Sequence, residues 1–247
     1  MKKKFIPLIF SYLLSTTAYA LPNVTAQAWL VADQTGKIIE GTHTTEVRSI
    51  ASITKLMTVM VVLDSGQALD EVIKTKLYGK YFTRQNLIDL AIVKSSNEAA
   101  KLLCNNYPSG YKGCIISMND KATQLNMNDT SFMDPTGLFQ NNVSTAEDLI
   151  KLVGAASHYP AIVEASSKDS VKFALTKKNR FTEFRNTNTL VGKGYNFIVS
   201  KTGYISKSGG CIVFMVETMH GIRTVVLLGS KNTKTRIPEA QMLASLY

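Results

Sequence analysis

Hydrophobic residues occupy almost every position in the segment from Leu56 to Leu63. A helix that is apolar all round is typical of a protein interior, so we predict a buried helix here. Ser52 and Lys55 stand just before this run and are three positions apart. Because positions i and i+3 share one face of a helix, we expect the Ser52 hydroxyl and the Lys55 amine to be neighbours.

Apolar runs rich in β-branched and aromatic residues predict strands near both ends of the chain. An N-terminal hairpin is predicted from a strand at 26–32, a turn at 33–36 and a return strand at 37–40. Three more strands are predicted at 195–202, 211–217 and 223–228. An N-terminal hairpin that completes a C-terminal meander gives one antiparallel sheet, whose faces helices must cover. The pattern therefore favours an α+β fold.

Helical spacing of apolar residues is typical of the middle of the chain, roughly 64–165. Thr83 is the predicted N-cap of one helix, and another follows the polar loop Ser95-Ser96-Asn97. Further helices are predicted at 115–125, at 144–152 with Ser144 and Glu147 as a capping box, and at 238–247. The polar, alternating segment 166–190 predicts strands or an excursion from the core.

The first twenty residues have the three parts of a secretory signal peptide. Three lysines follow Met1, then comes an apolar stretch of about ten residues, and Ala18-Tyr19-Ala20 supplies a cleavage site. The apolar stretch is shorter than the roughly 20 residues that a membrane-spanning helix needs, and no later segment is long or apolar enough. We therefore predict cleavage after Ala20 and a secreted chain with one domain, 21–247.

The formal charge of +10 includes three lysines and no acid in the first twenty residues, which leaves +7 on the mature chain. A basic secreted protein could favour an anionic surface such as cell-wall polymer. We prefer a solvated surface with excess lysine, because only 177–180 is a local basic cluster. No aromatic nucleic-acid motif accompanies it, so nucleic acid is not an expected partner.

Three cysteines remain in an oxidising compartment. A turn-rich stretch separates Cys104 from Cys114, which favours a disulfide between them and leaves Cys211 as a buried free thiol. Spacing alone does not prove this connectivity. Metal binding is the weaker alternative, because the sequence has no Cys-x-x-Cys pair and no histidine-rich partner. No metal or organic cofactor is indicated.

Three short motifs follow one another in a fixed order. They are Ser52-x-x-Lys55, then Ser95-x-Asn97, then Lys201-Thr202-Gly203. This ordered set is the signature of penicillin-recognising serine acyl-transferases. A second Ser-x-x-Lys, from Ser109 to Lys112, is predicted to lie in a loop and is interpreted as chance.

With these motifs the chain resembles the low-molecular-mass penicillin-binding proteins, which are serine D-alanyl-D-alanine peptidases. The resemblance covers nearly the whole mature chain and includes the stretches 134–138 and 144–149. Within the family the chain is most similar to the periplasmic D,D-endopeptidases, through 106–112 and 184–188. The resemblance implies a β-lactamase/transpeptidase-like fold, in which helices and a helical subdomain flank an antiparallel sheet of about five strands. It also implies periplasmic location, peptidoglycan peptides as substrates and β-lactams as covalent inhibitors.

The resemblance implies a role for each residue of the first two motifs. Ser52 would attack the carbonyl of a D-alanyl peptide bond. Lys55 would take its proton, if burial and neighbouring cations disfavour the ammonium form. Ser95 would relay the proton to the leaving amine, and Asn97 would bind the amide backbone of the substrate.

The third motif would hold the substrate and the charge that develops on it. Lys201 would keep the proton network electropositive, and Thr202 would receive the terminal carboxylate or a polar group of the substrate. Gly203 would let the substrate backbone lie against the strand, where a side chain would block it. The backbone N–H groups of Ser52 and Tyr204 would form the oxyanion hole.

Other functions remain open alternatives. A carboxypeptidase that trims pentapeptide stems would use the same residues as an endopeptidase. A β-lactamase would need a base for deacylation, and neither Glu164 nor Glu183 lies in a convincing motif, so we expect slow turnover of penicillin. A non-catalytic sensor of wall peptide or antibiotic would have no use for the Ser52 and Lys55 pair. A Ser-His-Asp hydrolase is disfavoured, because no Gly-x-Ser-x-Gly elbow or Asp partner accompanies the histidines at 43, 158 and 220.

Overall fold

The computed structural model describes residues 22–174 and 181–247. The predicted signal peptide and the basic cluster 177–180 lie outside the described residues. Within the described part of the chain, no helix has both the length and the apolar character needed to cross a membrane.

The described residues form eleven strands and seven helices. The strands are β1 (Ala28–Asp33), β2 (Ile38–Thr42), β3 (Arg48–Ser49), β4 (Val72–Leu77), β5 (Lys80–Thr83), β6 (Val143–Ser144), β7 (Ser170–Ala174), β8 (Phe181–Arg185), β9 (Phe197–Ile205), β10 (Gly209–Thr218) and β11 (Gly221–Ser230). The helices are α1 (Thr54–Asp64), α2 (Arg84–Ile92), α3 (Asn97–Asn105), α4 (Gly110–Gln124), α5 (Ala146–Ala156), α6 (Pro160–Ser167) and α7 (Arg236–Leu246).

The main sheet joins the two ends of the chain. Its five antiparallel strands are ordered β2-β1-β11-β10-β9, with Ala28 opposite Leu228 and Lys201 opposite Val213. This order confirms the predicted combination of an N-terminal hairpin with a C-terminal meander. It also leaves β9 as an edge strand, so one side of its backbone has no strand partner among the described residues.

Helices cover both faces of this sheet. Helix α1 lies in the larger core with the helices of the middle region, and Leu56, Met57 and Met60 have no solvent exposure. Helix α7 covers the other face, where Leu243 joins the second core. The prediction of a buried helix after Ser52 is therefore confirmed, and the fold is the α+β arrangement expected from the sequence.

Two helix starts differ from the sequence-based prediction. The cap of α5 is Thr145, whose hydroxyl accepts from the N–H of Asp148, whereas the Ser144 hydroxyl is hydrogen-bonded to Thr130 Oγ1 at 2.7 Å and its backbone pairs with β3. Helix α4 begins at Gly110, five residues earlier than predicted. The second Ser-x-x-Lys therefore spans the first turn of a helix, and the prediction that it lies in a loop was wrong.

Local hydrogen bonds account for the starts of two other helices. The Thr83 hydroxyl accepts from the N–H of Asn86, whose side chain accepts in return from the Thr83 N–H, so the predicted cap is confirmed as a capping box. The Ser96 hydroxyl accepts from the N–H of Ala99 and caps α3. The Ser96 cap lies in the turn between α2 and α3, which carries Ser95 and leads into Asn97, the first residue of α3.

One of the two peripheral hairpins was predicted, whereas the other hairpin and one helix were not. The β7–β8 hairpin falls in the segment 166–190, where the prediction of strands or an excursion is confirmed. The β4–β5 hairpin and helix α6 were missed. The β4–β5 strands are mostly exposed, so no apolar periodicity marks them in the sequence.

Candidate active site

Ser52 lies in a single 3₁₀ turn, Ala51–Ile53, directly before α1. Ala51 adopts a φ of +46°, which is uncommon for a residue with a side chain and typical of strained functional turns. Ser52 is half-buried, so its hydroxyl remains accessible. The hydroxyl oxygen lies 2.8 Å from Lys55 Nζ and accepts a hydrogen bond from it.

Lys55 is fully buried, and its amine donates three hydrogen bonds. Its Nζ donates to Ser52 Oγ, to Asn97 Oδ1 at 2.7 Å and to the Thr136 carbonyl at 2.6 Å. Loss of hydration lowers the pKa of Lys55 to about 7, although the charges of Asp134 and Glu98 act in the opposite direction. The amine next to Ser52 is therefore half neutral near pH 7.

The loop from Met133 to Asn142 presents the Thr136 carbonyl to Lys55. The Asp134 carboxylate accepts from the N–H groups of Thr136 at 2.6 Å and Gly137 at 2.9 Å, which folds the loop back on itself. Gly137 has a φ of +79°, and a Cβ there would lie 1.9 Å from the Ala51 carbonyl oxygen. Only glycine permits this close approach of the loop to the Ser52 turn. The predicted turn is confirmed, but its contact with Lys55 was missed.

A second serine and lysine pair lies beside the first. Ser95, with a φ of +60°, accepts a hydrogen bond of 2.8 Å from Lys201 Nζ. Lys201 also donates to the Thr202 carbonyl at 2.8 Å. Burial holds the pKa of Lys201 well below 10.5, and the charges of Lys55 and Arg236 lower it further.

Strand β9 lies directly against the Ser52 turn. A Cβ on Gly203 would lie 2.9 Å from both the Ser52 nitrogen and the Ile50 carbonyl oxygen, so glycine is required there. The Thr202 hydroxyl donates to Thr187 Oγ1 at 2.7 Å. Thr187 was not singled out from the sequence, although it falls in the stretch 184–188 that carried the finer resemblance.

The direction of the Tyr204 N–H follows from the alternation of backbone groups along β9. The Thr202 carbonyl binds Lys201 on the open edge, whereas the Ile205 N–H donates to Ser208 in the turn to β10. Since neighbouring residues of a strand direct their N–H and C=O groups to opposite sides, the Tyr204 N–H points to the open edge. That is the same edge on which Ser52 lies.

The remaining candidate residues lie elsewhere. Glu164 pairs with Lys168 at the surface, and Glu183 accepts from Ser170 on the exposed β7–β8 hairpin. The structure joins Cys104 in α3 to Cys114 in α4 by a disulfide, and Cys211 is a buried free thiol. Within residues 22–174 and 181–247, no group of three or more metal-binding side chains comes together.

The arrangement suits acyl transfer to a serine. Two serine and lysine pairs are neighbours, since Lys55 bonds to Asn97 beside Ser95 and its charge acts on Lys201, and each pair can move a proton without a histidine. One buried amine has a pKa near neutrality, which is the range in which a general base is most effective. The edge strand supplies backbone groups to hold an extended peptide beside the nucleophile.

Comparison with known proteins identifies relatives across most of the chain. A profile of the D-alanyl-D-alanine carboxypeptidase family matches residues 15–78 and 69–232. The D-alanyl-D-alanine endopeptidase of Escherichia coli is 35% identical over 255 residues, which cover 97% of this chain and 82% of that protein. The D-alanyl-D-alanine endopeptidase of Pseudomonas aeruginosa is 36% identical over 230 residues, or 87% of this chain and 74% of that protein.

Solved structures show the same fold. Penicillin-binding protein D2 from Listeria monocytogenes, in its ampicillin-bound form, superposes with a TM-score of 0.79 at 25% identity. The match covers 91% of this chain and 98% of that one. The sequence-based recognition of the penicillin-binding family and its fold is thereby confirmed.

Proposed function

Because this chain belongs to the D-alanyl-D-alanine carboxypeptidase family, we infer that it is a serine-type D,D-endopeptidase that cleaves D-alanyl cross-links in peptidoglycan. The observation that carries this proposal is the 2.8 Å contact between Ser52 Oγ and the amine of Lys55, whose pKa is lowered to about 7. The two relatives named endopeptidases support the endopeptidase subtype. The family description itself supports the alternative, a carboxypeptidase that trims pentapeptide stems.

The proposed reaction begins with proton transfer from Ser52 to the neutral amine of Lys55. The Ser52 oxygen then attacks the carbonyl carbon of the D-alanyl residue, and the carbonyl oxygen becomes an oxyanion. The N–H groups of Ser52 and Tyr204 would stabilise it, because the Ser52 nitrogen lies against Gly203 of β9 and the Tyr204 N–H points to the open edge of that strand. Removing one such donor typically costs about 10²–10³ in rate.

Collapse of this intermediate would break the bond between the carbonyl carbon and the amide nitrogen. The proton that Lys55 took from Ser52 would pass through Ser95, which Lys201 holds by a 2.8 Å hydrogen bond, to the leaving amine, so that Lys55 becomes neutral again. The products of this step are a free amine and an ester on Ser52. Attack by water on the ester, with Lys55 again as base, would release the carboxylate and restore the enzyme.

Substrate binding would use the open edge of β9. A peptide in extended conformation can pair with the backbone of this strand, and the absence of a side chain at Gly203 lets it lie close. Asn97 already accepts from Lys55 through Oδ1, which leaves its amide N–H₂ free to donate to the substrate backbone. Thr202 and Thr187 would bind a carboxylate or a polar side chain beside the cleaved bond.

We further propose that the protein acts in the periplasm and is acylated by β-lactams. The signal-peptide pattern of the first twenty residues supports export. The ampicillin-bound Listeria relative supports β-lactam binding. Slow hydrolysis of the penicilloyl ester is expected, because Glu164 and Glu183 are held at the surface by other partners.

The proposal is tested by incubating the mature protein with purified cross-linked muropeptide dimers and, separately, with pentapeptide monomers. Conversion of dimers to monomers that penicillin abolishes would establish the endopeptidase. Loss of terminal D-alanine alone would establish the carboxypeptidase, and rapid penicillin hydrolysis would refute both in favour of a β-lactamase.

Two serine variants form a matched pair for this test. Ser52→Ala should abolish turnover, whereas Ser109→Ala, in the exposed second Ser-x-x-Lys, should leave it unchanged. A Ser52→Ala protein that still cleaves dimers would contradict the acyl-enzyme. A wild-type protein that binds penicillin but cleaves neither substrate would favour the sensor.

A further inference from the structure

Arg236, the first residue of α7, is a buried cation for which the proposed reaction has no role. Only 8% of its surface is exposed, and its Nη1 donates to the Gly203 carbonyl at 2.6 Å. Its buried Nε has no hydrogen-bond partner, and no carboxylate of the described residues forms an ion pair with it. Burying an unpaired guanidinium is costly, so a residue in this state calls for an explanation.

The acceptor of this hydrogen bond, the Gly203 carbonyl, belongs to the same peptide unit as the N–H of Tyr204. The carbonyl of Gly203 and the N–H of Tyr204 are the two ends of one planar amide and point in opposite directions. Arg236 binds the carbonyl end. The N–H end faces the open edge of β9, where the proposed oxyanion would form.

We propose that Arg236 is a positioning residue that fixes the Gly203–Tyr204 peptide and polarises it, so that its N–H becomes a stronger donor to the oxyanion. This inference rests on the proposed function and adds a third residue behind the oxyanion hole. A charge-assisted hydrogen bond to an amide oxygen draws electron density from nitrogen, and hydrogen bonds in such a chain strengthen one another. The effect grows when negative charge appears at the N–H end, and so it acts on the transition state more than on the substrate.

The charges around Arg236 support the same role for this residue. Lys201 and Arg236 are close enough for each charge to matter, since Arg236 is among the causes that lower the pKa of Lys201. Burial lowers the pKa of Arg236 itself, yet a guanidinium stays protonated in proteins. Arg236 therefore keeps its charge without a carboxylate partner among the described residues, and a developing oxyanion supplies the missing counter-charge.

The test compares acylation by ampicillin in the full-length mature protein, in Arg236→Met and in Arg236→Lys. Ampicillin opens when Ser52 Oγ bonds to its lactam carbonyl carbon, the carbon–nitrogen bond breaks, and the nitrogen gains the proton. We expect the acylation rate constant of Arg236→Met to fall about 10- to 100-fold, with the initial binding constant nearly unchanged. Arg236→Lys should recover part of the rate, because it keeps a charged donor.

A spectroscopic signature separates polarisation from a general loss of structure. With ¹³C in the lactam carbonyl, difference infrared spectra report the hydrogen bonding of the ester carbonyl on Ser52. We expect its stretching frequency to rise in Arg236→Met, because a weaker donor leaves the carbonyl bond stronger. Arg223 provides the matched control, since its Nε donates to the Tyr247 carbonyl at the other end of the sheet. Arg223→Met should keep the wild-type rate and frequency.

Each outcome has a distinct meaning. An unchanged rate and frequency in Arg236→Met, or weaker ampicillin binding with an unchanged acylation rate, would overturn the inference alone. If Arg236→Met fails to fold, Arg236→Gln decides, because it keeps a donor but removes the charge: a raised frequency supports the inference and an unshifted one refutes it. A wild-type protein that ampicillin does not acylate would overturn the proposed function together with the inference.

Discussion

The lowered pKa of Lys55 makes the pH dependence of acylation a direct test of the proposed base. An ordinary lysine, with a pKa of 10.5, is about 0.03% neutral at pH 7, whereas a pKa of about 7 leaves half of Lys55 neutral. The lowering of the pKa from 10.5 to about 7 corresponds to about 5 kcal/mol between the two protonation states, and it increases the neutral fraction at pH 7 about 10³-fold. The acylation rate constant should rise about tenfold per pH unit below pH 6 and level off above about pH 8.

The assay is stopped-flow acylation by ampicillin from pH 5 to 9.5 at constant ionic strength. Lys55→Arg should lose acylation over this whole range, because a guanidinium does not release its proton. Lys112→Arg, in the second Ser-x-x-Lys, makes the same replacement at an exposed position and should keep the wild-type profile. The pair separates loss of the base from a general effect of arginine on the protein.

Two results would refute this reasoning. An acylation rate constant that still rises tenfold per pH unit between pH 8 and 9.5, or one that does not change between pH 5 and 9, would show that Lys55 does not titrate as burial requires. If ampicillin acylates the Lys55→Arg variant at the wild-type rate, another group must take the proton of Ser52.

Three further predictions concern residues that shape the site. Gly203→Ala should slow ampicillin acylation at least about 100-fold, because the new Cβ would lie 2.9 Å from the Ser52 nitrogen and displace an oxyanion donor. Asp134→Asn should shift the rising limb of the pH profile to lower pH, since the Asp134 charge raises the pKa of Lys55. Replacing Cys104 and Cys114 together by serine should lower the free energy of unfolding by about 2–3 kcal/mol in urea denaturation, as expected for a loop of 10 residues.

The first of these predictions has a matched control variant, and each of the three has a result that would contradict it. Gly154→Ala in α5 introduces a Cβ that meets nothing within 4 Å, so it should leave acylation unchanged. If Gly203→Ala is acylated as fast as Gly154→Ala, the close approach of β9 to the nucleophile has no catalytic role. A shift of the Asp134→Asn profile to higher pH would contradict the electrostatic argument. Equal unfolding curves for wild type with and without reductant would contradict the disulfide prediction.

The sheet was predictable because its strands form long apolar runs near both ends of the sequence. The helix after Ser52 was predictable for the same reason, since Leu56 to Leu63 offers no polar face to solvent. Helix starts were harder, because a start depends on which of several adjacent hydroxyls is free. Ser144 and Thr145 are equally good caps in sequence, and the contacts of Ser144 with Thr130 and with β3 decide between them.

The residue types of the candidate site and the contact between Ser52 and Lys55 were predictable, but its contacts across longer stretches of chain were not. The order of the motifs singled out Ser52 and Lys55, and the structure brings their side chains together. The Thr136 carbonyl and the Arg236 guanidinium carry no signal of their own, since each acts through contacts across 81 and 33 positions respectively. A backbone carbonyl has no sequence signature, and an arginine at a helix start is ordinary until its acceptor is known.

The pairing of β1 with β11 has a consequence for how the protein folds. Ala28 and Leu228 face each other across 200 positions of chain, so this contact closes a very long loop. Folds dominated by such distant pairings form slowly, because the chain loses the entropy of loop closure before the new contacts stabilise it. We expect the β9–β10–β11 meander to form first and β1 to add late, which keeps the two cores incomplete until both ends of the domain are present.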